Sequence, residues 1–293
     1  MALDSMQEIL DRAAEGGIPF WRVVLETDME ERQVTEEASM EKMRVTWRAM
    51  LESVQRYDPS LRSISGMAGG DGAKMRAWAE THEPLCGPYI REVIATALSV
   101  GESNACMRKI VAAPTAGACG VLPAVLAPLY LAGRAREEDI IRALYVSAGI
   151  GAVVGFRASI AGASGGCQAE IGTASAMAAG TLTALWGGDA EQIAHAAAMA
   201  LKNLMGLVCD PIAGLVEVPC IKRNVIGAVN AVSCAEMALA GITSRVPADE
   251  VIDCMGDVGS RMPVELRETA LGGLAATPFG RGVEEQMRKL RTN

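Results

Sequence analysis

The sequence predicts a mainly α-helical, closely packed fold built as a single large domain. Two features of composition and one of pattern carry that reading. Of the 293 residues 50% are hydrophobic but only 4% aromatic, and Gly (31) and Met (16) are plentiful. Ala, Leu, Met, Glu, Lys and Arg favour helix over strand, and small side chains let helices approach closely while Met fills the gaps between them. Apolar residues recur at helical spacing, and the stretches between them are rich in Gly and Pro. A chain of this length can bury one large core, with or without an extension.

Taken in order, Ser5-Met6-Gln7-Glu8 is a capping box and Gly16-Gly17 ends the first helix. A second helix starts after Thr35, carries Met40, Met43, Trp47, Met50, Leu51 and Val54 at helical spacing, and stops near Tyr57-Asp58-Pro59, because the residue before a proline disfavours the helical region. Residues 1–60 are more charged than the rest and read as a helical N-terminal arm, with 61–293 as the domain that carries function. A Gly-rich loop covers 65–72, and helix is expected over 88–110, 121–132 and from Glu137 to about 155, with a tight turn at Pro114–Gly117. A third Gly-rich stretch, 162–168, precedes an Ala-rich helix ending near Trp186, and Asp189 with Gln192 caps the next. Segment 206–220 has Pro211, Gly214, Pro219 and no helical period, so it reads as an extended loop through an apolar setting. Helix resumes over 222–240, is stopped by Gly241, and returns over 248–261 and 283–291. In such a layout function sits on the loops.

The net charge of −8 and the lack of a basic stripe argue against a nucleic-acid partner. The apolar runs 111–133, 143–165 and 171–188 are interrupted by Pro114, Pro123, Pro128 and Arg157 and dominated by Ala and Gly. They read as buried core helices, not membrane spans. The N-terminus opens with Asp4, Glu8 and Asp11 and has no secretory pattern, which points to the cytoplasm. Eight cysteines in that setting are not a disulfide framework.

Three of the cysteines lie on loops: Cys167 ends a Gly-rich stretch, and Cys209 and Cys220 share the irregular segment 206–220. Cluster-binding thiolates need that backbone freedom, yet there is no Cys-x-x-Cys pair, so residue type and position alone leave metal ligands and free thiols equally open. Cys106 and Cys234 sit where a helix interior is expected. With Cys86, Cys119 and Cys254 they read as small buried hydrophobes.

The flanking residues decide between these. Ala113-Pro114-Thr115-Ala116-Gly117, Ser164-Gly165-Gly166-Cys167-Gln168-Ala169-Glu170, Gly206-Leu207-Val208-Cys209-Asp210-Pro211 and Gly214-Leu215-Val216-Glu217-Val218-Pro219-Cys220-Ile221-Lys222-Arg223-Asn224 resemble the alpha chain of iron–sulfur L-serine dehydratases. So do Gly69-Gly70-Asp71, Arg267-Glu268-Thr269, Gly272–Pro278, and the cysteine separations of 42 and 11 residues. The resemblance runs from about residue 20 to the C-terminus. It implies an all-α lyase, free of pyridoxal phosphate, in which Cys167, Cys209 and Cys220 hold a 4Fe–4S cluster and leave one iron open to substrate. That iron would bind the carboxylate and hydroxyl of L-serine and act as a Lewis acid. A base takes the α-proton, and the aminoacrylate tautomerises and hydrolyses to pyruvate and ammonia without redox change.

The family also implies a partner. Its members are either one long chain or separate alpha and beta subunits, and the Ser-Ser-His-Thr type motif of the beta part is absent here. A beta subunit and a hetero-oligomer are therefore expected. The chain ends Lys289-Leu290-Arg291-Thr292-Asn293, without the C-terminal cysteine that caps the fourth iron in some single-chain members.

Substrate-binding candidates are Thr115, Ala116 and Gly117, which offer a hydroxyl and backbone N–H groups or form a simple proline turn. Lys74, Lys222, Arg223 and Asn224 join them: the cations either neutralise a carboxylate or cluster, or open solvated helices. Glu170 is an acceptor beside Cys167 or a surface acid. The base is unassigned; His82 and His195 have the right chemistry but are isolated. The alternatives are a related cluster-dependent β-eliminase acting on cysteine or another β-substituted amino acid, an iron–sulfur redox or sensor protein, and a metal-free structural subunit.

Overall fold

Ser5 opens the first helix of the computed structural model, which describes residues 3–292. Its hydroxyl accepts from the Glu8 N–H, and Gly17 leaves α1 (Met6–Gly16) in the left-handed conformation with φ 60°. α2 (Phe20–Arg32) is a helix that the sequence pattern does not reveal. Its buried residues Phe20, Val23, Val24 and Leu25 crowd its first half, and the second half is charged, so no 3.6-residue stripe runs through it. α3 (Glu36–Gln55) starts after Thr35 as predicted and buries Trp47 and Met50. α4 (Asp71–Thr81) is also unexpected: it begins inside the Gly-rich stretch, after Gly70 at φ 87°, and Gly72 is its one buried residue, so it carries no apolar signature.

α5 (Gly87–Ala105) ends earlier than its periodicity suggests, because Met107 turns to φ 58°. α6 (Val121–Leu131) and α7 (Glu137–Arg157) follow. α7 is long and apolar enough to span a membrane, but 61% of that window is buried within the fold, as in a core helix. The four-residue α8 (Gly162–Gly165) leads into a π-helical turn, Gln168–Gly172, and then α9 (Thr173–Leu185). α10 (Ala190–Asn203) carries the predicted capping box of Asp189 and Gln192. α11 (Cys220–Leu239), α12 (Ala248–Arg261) and α13 (Pro278–Thr292) complete an all-α domain with no strand among the described residues. α13 starts at Pro278 instead of near 283, proline being well suited to a first helical turn.

α9 is the axis. α6, α7, α10 and α11 pack around it, and it is buried almost throughout. Two of its hydroxyls are satisfied within the helix, Thr181 donating to the Met177 carbonyl at 2.7 Å and Thr183 to the Ala179 carbonyl at 2.9 Å, while Ser175 donates across to the Gly227 carbonyl of α11 at 2.7 Å. Ile9 of α1, Phe20 and Leu25 of α2 and Trp47 of α3 lie in the same core cluster as Leu126, Ile141 and Ala178. Where α2 crosses α7, a Cβ on Gly149 would sit 2.5 Å from Val24 Cγ2. Val24 is β-branched and effectively single-rotamer in a helix, so it cannot swing aside. Gly149→Ala gains roughly 1 kcal/mol of helix propensity against about 1–3 kcal/mol of overpacking. A net loss of about 1 kcal/mol is expected in denaturant unfolding, and a gain in stability would show that the crossing is loose.

Candidate metal and active site

The three loop cysteines are carried by three separately anchored segments. Cys167 follows Gly166, whose φ of 74° a side chain would strain, and whose Cβ would lie 2.6 Å from Met262 Sδ. The next residue, Gln168, is fully buried and acts as a tie. Its backbone N–H reaches the Leu207 carbonyl at 2.9 Å, its Oε1 accepts from Gly206 N–H at 2.7 Å, and its amide donates to the Met255 carbonyl at 3.1 Å. Cys209 is held by a lone bridge: its N–H donates to Leu266 and its carbonyl accepts from Glu268 N–H at 2.7 Å. Cys220 is the first residue of α11, after the cis bond Val218–Pro219. The buried Glu217 just before it accepts from the Ser63 hydroxyl at 2.6 Å and also from Ser65. The extended reading of segment 206–220 agrees with this path, broken by a short turn at Ile212–Gly214.

These anchors bring the three thiols together in the interior, each less than a tenth exposed. Cys209 hydrogen-bonds with Cys167, and its Sγ lies 3.8 Å from Glu170 Oε2. The bond to Cys167, burial and the neighbouring acids all push the Cys209 thiol far above its ordinary range. Burial first, then Cys167 and Glu170, push Cys220 up to about 12. Glu170 hangs from the π-helical turn, is raised by its own burial, and accepts from Thr115 Oγ1 at 2.7 Å. Arg223 brings the positive charge: it hydrogen-bonds Cys167, donates to the Val208 carbonyl at 2.7 Å, and pairs with Asp210 at 2.8 Å. Gly162 and Gly117 make room, since a Cβ on either would stand 2.7 or 3.2 Å from a Glu170 oxygen.

The candidates divide. Thr115 and Gly117 lie against Glu170, the first by a hydrogen bond and the second where a Cβ would stand 3.2 Å from its Oε1, while the Ala116 carbonyl accepts from Asn104 at 3.2 Å. Arg223 is inside the site. Lys74 and Lys222 are exposed and both engage Asp71, outside the thiol cluster. Asn224 is buried and spent on scaffolding: it accepts from Gly120 N–H and donates to the carbonyls of Gly117 and Cys220. Of the remaining cysteines, Cys119 and Cys234 are the buried hydrophobes expected, but Cys86 and Cys254 are exposed and Cys106 is half-buried. The expectation fails there because Cys86 and Cys106 cap α5 and Cys254 lies on the outer face of α12. His82 stacks on Trp78 at the surface and His195 is half-buried in α10.

The comparisons with known proteins identify the family. Residues 15–275 match the family model described as serine dehydratase alpha chain. The chain belongs to that family. It is 45% identical to the probable L-serine dehydratase, alpha chain, of Bacillus subtilis, with 97% of this chain and 94% of the relative covered. To the L-serine dehydratase, alpha chain, of Peptoniphilus asaccharolyticus it is 41% identical, over 98% and 99% of the two chains. An L-serine dehydratase of Streptomyces coelicolor matches at 38% identity over 92% of this chain but 59% of its own length.

In this alpha chain the role of Asp210 is not legible from residue type, since it meets Arg223 only through the fold, whereas Glu170 takes the first of its two expected places, an acceptor beside the thiols and not a surface acid. Asn224→Ala strands the buried Gly120 N–H and costs about 1–3 kcal/mol. It should lower the melting temperature by several degrees in a thermal scan; an unchanged melting temperature would show that the Gly120 N–H finds another acceptor.

Proposed function

We propose that Cys167, Cys209 and Cys220 hold a 4Fe–4S cluster and that this alpha chain, with a beta subunit in the cytoplasm, converts L-serine to pyruvate and ammonia. The observation that carries the reading is the meeting of three thiols, from three independently anchored segments, at one buried site beside Arg223. Among the described residues no three Cys, His, Asp or Glu side chains are placed to share a single metal, whereas thiols around a cluster each take a different iron. When bound, such a cluster supplies Lewis acidity toward the carboxylate and hydroxyl of serine.

The chain's own residues prepare that site. Burial and their neighbours hold the Cys209 and Cys220 thiols toward the neutral form, so binding of a cluster would release their protons. Glu170 Oε2, 3.8 Å from Cys209, is the nearest acceptor for one of them. Arg223 offsets the negative charge of the thiolates and is kept in place by Asp210 and the Val208 carbonyl. The turn Thr115–Gly117 forms the adjoining wall, and the Thr115 hydroxyl orients the Glu170 carboxylate. The names of the relatives support serine as substrate, and the greater length of the Streptomyces coelicolor relative supports a second polypeptide here.

The test is anaerobic co-expression with the beta subunit, followed by iron, acid-labile sulfide, visible absorbance and pyruvate from L-serine. Iron, sulfide and pyruvate together are the expected result. Sulfide released from cysteine without pyruvate from serine would move the reaction to a β-eliminase, and a colourless, iron-free complex would overturn the reading.

A further inference from the structure

A second cavity, of about 590 Å³, opens between the segment 157–169, α12 and the turn carrying Arg267. Its size falls in the usual range for small-ligand sites, roughly 300–1,000 Å³. Its lining includes none of Cys167, Cys209, Cys220, Glu170 or Arg223. Two arginines face it, and they differ. Arg157 is spent: it pairs with Asp253 at 2.6 Å and with Asp249 at 3.7 Å. Arg267 has no carboxylate partner among the described residues, and its one contact is a long bond from Nη1 to the Ser164 carbonyl at 3.4 Å. Its Nε is buried without any acceptor. A buried guanidinium N–H left unpaired is rare enough to need a cause, an absent ion or ligand among them. Arg267 cannot easily relax away, because the backbone on either side of it is bonded to Cys209.

The hydroxyls around it point to the same chemistry. Ser159 Oγ accepts from Ala161 N–H, which leaves its own proton to donate, and Ser164 also lines the cavity. We propose that this cavity binds a small monocarboxylate, with the edge of the Arg267 guanidinium forking its two oxygens. A guanidinium edge matches a planar carboxylate in a two-bond fork. One uncompensated positive charge suits a monoanion, and the Asp249 and Asp253 carboxylates that Arg157 holds oppose a phosphate dianion.

Calorimetric titration of the full chain without iron or partner separates the sources of such an anion, using pyruvate, L-serine and inorganic phosphate in turn. The expected result is one carboxylate site per chain. Arg267→Gln should weaken it roughly tenfold to a hundredfold, with Arg267→Lys in between. Ser260→Asp, at an exposed rim position, should weaken it as well and serves as the test if the Arg267 variants fold poorly. No binding of either carboxylate, or the same affinity in wild type and Ser260→Asp, would overturn the proposal. So would tighter binding of phosphate than of both carboxylates. Because no iron or serine turnover is involved, failure here leaves the dehydratase reading standing.

Discussion

Changing Cys167, Cys209 or Cys220 to Ala, one at a time, is expected to remove iron and abolish pyruvate formation in the complex with the beta subunit. Cys119→Ala and Cys234→Ala should retain both. The two groups are equally buried cysteines, so burial does not separate them. What separates them is company. Cys119 has only the Val100 carbonyl within reach, and Cys234 faces Asn203 and Asn230. The other three lie against one another and Arg223. A Lewis-acid contribution of several kcal/mol corresponds to at least about a thousandfold in rate, so residual turnover should be near the detection limit. Changing Cys to Ala deletes one sulfur and opens only a small gap in the packing, so each iron-free variant should melt within a few degrees of wild type. A variant that keeps iron and activity would remove that cysteine from the ligand set. Loss of activity with a matching collapse in melting temperature would mean that the residue only holds the fold.

How much of this was readable in advance depended on how local the signal was. Caps and breakers are local: Ser5, Thr35, Asp189 and Gly241 mark helix ends in the sequence, and the helices begin or end there. α2 and α4 escaped because neither carries a full apolar stripe; each is held by neighbours instead of by its own period. At the site the three cysteines were visible through their flanking motifs. Glu170 already stood out by its place one turn after Cys167, whereas Asp210 and Glu217 were ordinary acids until the fold delivered Arg223 and Ser63 to them. The Arg267 cavity lies further still from sequence, since it depends on which arginine is left without a partner.

Asp210 is where stability and the site meet, and Asp210→Ala is expected to be among the most damaging single changes away from the cysteines. Its carboxylate is buried and divides its two oxygens: Oδ1 takes Arg223 at 2.8 Å and Oδ2 takes the Leu274 N–H at 2.8 Å. Gly273, at φ 57°, has no side chain because Asp210 fills that space, with its Oδ2 2.4 Å from where a Cβ would be. Breaking one side of a buried pair costs about 3–5 kcal/mol, because the other charge stays buried, and the stranded Leu274 N–H adds to it. A fall in melting temperature of roughly 8 °C or more follows for a chain of this size. Replacing both partners, Asp210→Ala with Arg223→Met, removes the uncompensated charge and should recover most of that loss, since apolar replacement of a buried pair is often neutral. Iron retention should not recover with it, because the guanidinium beside Cys167 is gone. If the double variant regained iron as well as stability, Arg223 would be a scaffold residue only. If Asp210→Ala melted like wild type, the pair would be too solvated to organise the segment between Cys209 and Cys220.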